Sequence, residues 1–184
     1  VLVINLFGAP GAGKSSLAFL ISAYLKMHYS DLSVECPNEI AKMVCYDEAP
    51  KALKCQMYIA GLQQWQIERC EGYVDIVVCD SPVLLSPMYA EEGGQNLPES
   101  FTEVCRHYHD KYPSLNYFVM RTHPYDTRAR FHSEEDSKRI ALKIAGIVSA
   151  LPHHEVVFSS EDDARDIASY AAHLARQNKE TNVS

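Results

Sequence analysis

The sequence predicts a three-layer α/β domain, a parallel sheet covered by helices on both faces. Three observations carry this. Short apolar runs alternate with helical patterns along the 184 residues. The first run, Val1 to Phe7, leads directly into a glycine-rich turn and then a helical stretch. A later run, Tyr73 to Cys79, ends in one carboxylate, Asp80. In a parallel sheet, that turn and that carboxylate open at the same edge, where α/β domains bind ligands.

Each element has its own justification. Val1-Leu2-Val3-Ile4-Asn5-Leu6-Phe7 is β-branched and apolar and reads as a buried strand. Leu17 to Tyr29 reads as a helix. Leu32 to Cys36 is a short strand, and Pro37-Asn38 precede a helix beginning near Glu39. A longer helix is expected from about Pro50 to Cys70. Its apolar positions Leu53, Met57, Ala60, Trp65 and Ile67 are roughly one-faced, which puts Met57 and Trp65 in the core. Tyr73 to Cys79 is the third strand. The stretch 86–100 holds two prolines and Gly93-Gly94 and predicts a mobile loop. Phe101 to Tyr112 reads as a helix stopped by Pro113, and Leu115 to Met120 as the fourth strand. Ser133 is positioned to cap a helix from Glu134 to about Ala150, with Asp136 at the capping-box position. Glu155 to Phe158 is the fifth strand, and Asp162 to about Gln177 the last helix. Residues 1–184 read as one domain, large enough for a real core.

Composition narrows the class. The chain is 47% apolar and 22% charged, ordinary for a globular protein. No apolar run approaches the ~20 residues that span a bilayer, and no basic-flanked signal segment is visible. The expectation is a soluble cytoplasmic protein with no membrane partner. Cys36, Cys45, Cys55, Cys70, Cys79 and Cys105 form no C-x-x-C pair, so neither a zinc ribbon nor a dithiol redox site is indicated. Cys79 ends an apolar run and reads as a small core residue. Cys105, His107 and His109 alternate, so on a helix their side chains diverge; a solvated helix face is expected rather than a metal site. A net charge of −7 argues against a general nucleic-acid coat, though not against a local basic groove.

The chemistry-bearing residues begin at Gly8-Ala9-Pro10-Gly11-Ala12-Gly13-Lys14-Ser15, which fits the P-loop pattern G-x-x-x-x-G-K-[ST] between a strand and a helix. Glycines let backbone N–H groups turn inward, and with the helix N-terminus these form an anion site. Gly8 through Ser15, together with Ser16, are the expected ATP contacts. Lys14 can reach the β- and γ-phosphates and the Ser15 hydroxyl can ligate Mg²⁺. Asp80 follows four apolar residues in a Walker-B-like placement, suited to holding Mg²⁺ or touching substrate. Two readings of Glu39 stand: a base accepting a proton from an attacking hydroxyl, or a first-turn carboxylate favoured by a helix dipole. Lys42 shares its helix face. Arg121, Arg128 and Arg130 share one polar connection, 121–133, that carries net +2 in an acidic chain. Such a segment is a lid over a migrating phosphate, or a solvated loop pairing with Glu134, Glu135 and Asp136. A GTPase would need N/T-K-x-D, which Asn178-Lys179-Glu180-Thr181 does not supply. Glu91-Glu92-Gly93-Gly94-Gln95 follows the Asp80 strand instead of preceding it, unlike the transporter ATPase signature.

Together, INLFGAPGAGKSSLA, VECPNEIAK, VDIVVCDSPVLLS and FVMRTHPYDTRAR with the following SEED resemble the small P-loop kinases and ATPases of the NadR-like AAA type found in phage genomes. The resemblance implies a nucleoside-kinase-like fold with a five-stranded parallel sheet of order 2-3-1-4-5. It implies transfer of the ATP γ-phosphate to a nucleoside-type acceptor. Gly13, Lys14, Ser15 and Asp80 would serve ATP and Mg²⁺, with Glu39 and the lid arginines near the acceptor. One similar branch, the 5-hydroxymethyluracil DNA kinases, suggests hydroxymethylated DNA as acceptor. A free nucleoside, a nucleotide or nicotinamide riboside is the alternative, and a regulatory P-loop NTPase is a third reading. The catalytic residues expected are Lys14, Glu39, Asp80, Arg121, Arg128 and Arg130.

Overall fold

The first strand, β1 (Leu2–Phe7), is buried along its whole length, and the rest of the fold is arranged around it. A computed structural model describes residues 1–40, 43–44, 54–124 and 133–181. Further elements among the described residues are α1 (Lys14–His28), β2 (Val34–Glu35), α2 (Gln56–Glu68), β3 (Ile76–Cys79), a 3₁₀ turn (Val83–Leu85), α3 (Ser86–Glu92), α4 (Glu99–Asp110), β4 (Ser114–Met120), α5 (Glu134–Ser149), β5 (His154–Phe158) and α6 (Glu161–Thr181). The five strands form one sheet of order β2-β3-β1-β4-β5, parallel throughout. The α/β fold and the strand order expected from the sequence are both present.

Alternation along β1 builds the two cores. Leu2, Ile4 and Leu6 face one layer, made by α1 and α6. Val3 and Phe7 face the other. On α1 the buried residues Leu17, Ala18, Ile21 and Leu25 form one stripe. On α6 the matching stripe is mostly alanine: Ala164, Ala168, Ala171, Ala172 and Ala175, with Ile167. Small side chains let the two helices approach closely. Each fully buried aliphatic side chain here contributes roughly 1.5–3 kcal/mol. On the opposite face Phe7 packs with Leu85, Met88, Ile140 and Ile144. Asn5 faces that layer too, and its Nδ2 donates to Asn116 Oδ1 at 3.2 Å. Asn116 in turn donates to the Pro152 carbonyl, so the buried amide pair is satisfied. The far end of α6 is held down by a fork from Arg176 to Asp31, 2.9 and 2.7 Å, and by Lys179 on Asp75 at 2.8 Å.

Three expectations are corrected. Met57 and Trp65 are not core: they are 57% and 56% exposed, and Trp65 stacks on the Arg69 guanidinium. The buried side of α2 is Ile59, Ala60, Gln63, Gln64, Gln66 and Ile67. The stretch 86–100 is not a loop throughout, because Ser86–Glu92 is helical. Pro87 lies in the first turn, where no backbone N–H is needed, and Gly94 adopts a left-handed φ of 70° just beyond the end. The Cys105–His109 face is not solvated either. Residues 105 and 109 return to one side of α4, where both are buried with Phe101, while His107 stays exposed. Burial pulls the His109 imidazole below its usual pKa, and its ring meets Phe7 edge-on at 6.4 Å. The capping box at α5 forms as expected: Asp136 N–H donates to Ser133 Oγ, and Ser133 N–H to Asp136 Oδ2. Leu53, Lys42, Cys45 and the arginines 128 and 130 lie outside the described residues. Among the described residues no helix is long and apolar enough to cross a membrane.

One ionic cluster binds α3 to α5. Glu92, its side chain 11% exposed, accepts both arms of Arg139 at 2.6 Å and the Lys143 ammonium at 2.7 Å. These hydrogen bonds hold the Glu92 carboxyl down at about 2, against an ordinary 4.5. A depressed carboxylate pKa stabilises the fold above the unfolded value, and the stabilisation disappears as pH falls through the folded one. Urea midpoints measured across a pH series will therefore drop between about 4.5 and about 2. Glu92→Gln will start about 1–2 kcal/mol lower at neutral pH, the pairing being partly screened, and will show a shallower acid slope.

Candidate active site

The turn leaving β1 is shaped by two glycines that nothing else fits. A Cβ on Gly8 would lie 2.8 Å from the Val119 carbonyl. Gly13 caps α1 with a φ of 91°, and a Cβ there would meet the Ser159 side chain at 2.8 Å. Ala9 and Ala12 are buried between these glycines, Pro10 and Gly11 are half-buried, and Ser16 is exposed. The Ala12 N–H donates to the Ala9 carbonyl, closing the turn.

The N-terminus of α1 has no side-chain cap and no acidic residue in its first turn. Its backbone donors and the positive end of its dipole thus face a site built for an anion. Lys14 arches back over the loop, donating from Nζ to the Gly8 carbonyl at 2.8 Å and to the Ala9 carbonyl at 3.2 Å. Two serines brace the loop from other elements. Ser137 on α5 donates to the Pro10 carbonyl at 2.9 Å, and Ser159 after β5 donates to the Gly13 carbonyl at 3.1 Å. Reasoning from sequence passed over both. Ser137 carries no local signal. Ser159 has one, since it stands at the carboxyl end of a strand in a parallel sheet.

Asp80 reaches the loop because β3 pairs with β1 in register, Asn5 beside Cys79. It is buried, and the Ser15 hydroxyl donates to its Oδ2 at 2.6 Å. Beside this pair opens a cavity of about 200 Å³, lined by Ser15, Phe19, Cys36, Asn38, Glu39 and Asp80 among others. Glu39 arrives because β2 pairs with β3 at the sheet edge, so the chain after it runs along the same mouth. The structure thus brings Ser15, Asp80 and Glu39 to one cavity. Burial pushes the Cys36 thiol above its usual pKa. Burial also pushes the Cys79 thiol up to about 12, with the nearby carboxylates of Asp80 and Glu39 adding to the shift. Both sulfurs stay protonated at neutral pH and behave as small apolar groups.

Arg121 follows β4 on the other side of β1 and does not line this cavity. Its Nη2 donates to Glu134 at 3.0 Å, and Lys138 approaches the same carboxylate at 3.4 Å.

A glycine loop between the central strand and its helix, with an acidic strand end beside it, defines a P-loop protein, and the sheet order is that of the P-loop kinase fold. The model of a family described as AAA domain matches residues 3–165, and the chain belongs to that family. No curated protein matches it in sequence. Among solved structures it is similar to a thymidylate kinase from Ehrlichia chaffeensis, with 15% identity, a TM-score of 0.58, and coverage of 95% of this chain and 98% of that one. It is likewise similar to a deoxyadenosine kinase from M. mycoides solved with bound dATP, with 15% identity, a TM-score of 0.54, and coverage of 91% and 97%.

Proposed function

We propose that this single P-loop domain is an ATP-dependent phosphotransferase acting on a hydroxyl of a free nucleoside-type acceptor, nucleoside or nucleotide. The observation that carries the reading is the hydrogen-bonded Ser15–Asp80 pair, which joins the phosphate loop to a 200 Å³ cavity containing Glu39. In this reading the loop amides and Lys14 hold the β- and γ-phosphates. Two hard oxygen donors side by side suit a Mg²⁺ ion, and Ser15 and Asp80 would hold it. When bound, Mg²⁺ supplies charge neutralisation on the phosphates.

The acceptor oxygen attacks the γ-phosphorus as the bond to the ADP oxygen breaks. Glu39 takes the hydroxyl proton, with Asp80 the other carboxylate within the same cavity. Arg121, Arg128 and Arg130 neutralise the moving charge, for which Arg121 would exchange its Glu134 partner for phosphate. Catalysis on this scheme is mostly positioning and electrostatics.

The two solved relatives named above are kinases by title, one of thymidylate and one of deoxyadenosine. They support a free nucleoside or nucleotide better than the narrower acceptor implied by the sequence resemblance, the hydroxymethyl group of 5-hydroxymethyluracil in phage DNA. Nothing in the comparisons supports a DNA acceptor. ATP labelled at the γ-position, offered with nucleosides, nucleotides, nicotinamide riboside and hydroxymethylated DNA, tests the reading. Label should appear on a small acceptor and not on DNA. Release of inorganic phosphate alone would make the protein a regulatory NTPase and overturn the transferase assignment.

A further inference from the structure

The loop holding Asp80 and the loop holding Glu39 are both tied to one face of α2. Gln63 Nε2 donates to Ser81 Oγ at 2.6 Å, directly after Asp80. Gln63 Oε1 accepts from Ser86 Oγ at 3.3 Å, so the amide is engaged at both ends. One turn on, Gln66 Nε2 donates to the backbone carbonyl of Asn38 at 3.1 Å, directly before Glu39. Both side chains are buried, 9% and 8% exposed. Buried amides destabilise unless hydrogen-bonded, and leucine at these positions would serve a purely structural helix face better. Gln64, between them and 3% exposed, has a buried Nε2 that finds no hydrogen-bond partner among the described residues. The contacts are therefore specific to the two positions one turn apart.

We propose that Gln63 and Gln66 are positioning residues that set the two carboxylate-bearing loops relative to one another, making α2 the common strut of the site. Gln66 fixes the Cys36–Glu39 wall of the cavity and so governs acceptor binding. Gln63 fixes the turn behind Asp80 and so governs the rate at saturation. The kinetic half of this rests on the phosphotransferase reading; the mechanical half does not.

The test compares Gln66→Met, Gln63→Met and, as control, Gln64→Met, each of similar volume to glutamine. Hydrogen exchange of the peptide covering residues 36–40 should quicken about tenfold in Gln66→Met, and that of the peptide covering 81–86 in Gln63→Met, in line with one lost hydrogen bond. P-loop exchange should be unchanged in both. With thymidine and deoxyadenosine as probe acceptors, Gln66→Met should raise acceptor KM about tenfold and leave ATP KM within about twofold. Gln63→Met should lower kcat instead, and Gln64→Met should change neither. Gln66→Glu loses its donor when ionised and regains it when protonated, so its acceptor KM should fall toward the wild-type value as pH is lowered. Unchanged exchange in both loops, or equal kinetic losses in all three methionine variants, would overturn the strut. If the wild-type protein phosphorylates neither probe, the exchange result alone decides the strut, and the failure belongs to the functional reading.

Discussion

Lys14→Ala will lose at least about 10²–10³-fold in turnover while keeping the fold. The lysine is the only cationic side chain within the loop pattern 8–15, and its ammonium rests on the Gly8 and Ala9 carbonyls. Those acceptors belong to the phosphate loop, so the ammonium already lies where a polyphosphate would approach. Removing it leaves the loop amides to face the phosphate charge alone. The stability loss is that of ordinary part-buried hydrogen bonds, about 1 kcal/mol. Steady-state turnover with thermal unfolding on the same preparation checks both halves. A variant that folds and still turns over normally would refute the assignment of the loop.

Asp80→Asn carries the second large effect, a fall in kcat of about 10²–10³-fold. The substitution keeps an oxygen that can accept from Ser15, whose hydroxyl now donates to the carboxylate at 2.6 Å. What it removes is the negative charge. The Mg²⁺ concentration giving half-maximal rate should therefore rise, by about tenfold or more, whereas calorimetric binding of ATP without metal should be nearly unchanged. An unaltered Mg²⁺ dependence would release Asp80 from its expected role and leave Glu39 as the principal carboxylate of the cavity.

Legibility in the sequence divides along a physical line. Features encoded by local rules could be read directly. The β-branched run before Gly8, the Gly-Lys-Ser turn and the Ser133–Asp136 cap depend on residues near one another in the chain, and each is in place. The strand order came with the resemblance, not with periodicity. Features that depend on partners far along the chain were hidden. Gln63 and Gln66 look like surface residues until Ser81, Ser86 and Asn38 are seen to satisfy them. Once amides can occupy the inner face of α2, Met57 and Trp65 need not, and hydrophobicity points to the wrong side. Proline and glycine misled at 86–100 for another reason, since both residues also mark helix boundaries. Ser137 meets the phosphate loop across more than a hundred residues of chain, a contact that no local pattern announces.

The alanine-striped helix α6 has a consequence for how the protein is made. One face of the sheet is covered jointly by α1, residues 14–28, and α6, residues 161–181. Until the later helix leaves the ribosome, the emerging polypeptide exposes the part of this apolar face that α6 will cover. At translation speeds of about 5–20 residues per second, that interval is on the order of ten seconds. Nascent copies are therefore most prone to stick to one another, and most dependent on holdase chaperones, in the interval between the synthesis of α1 and that of α6.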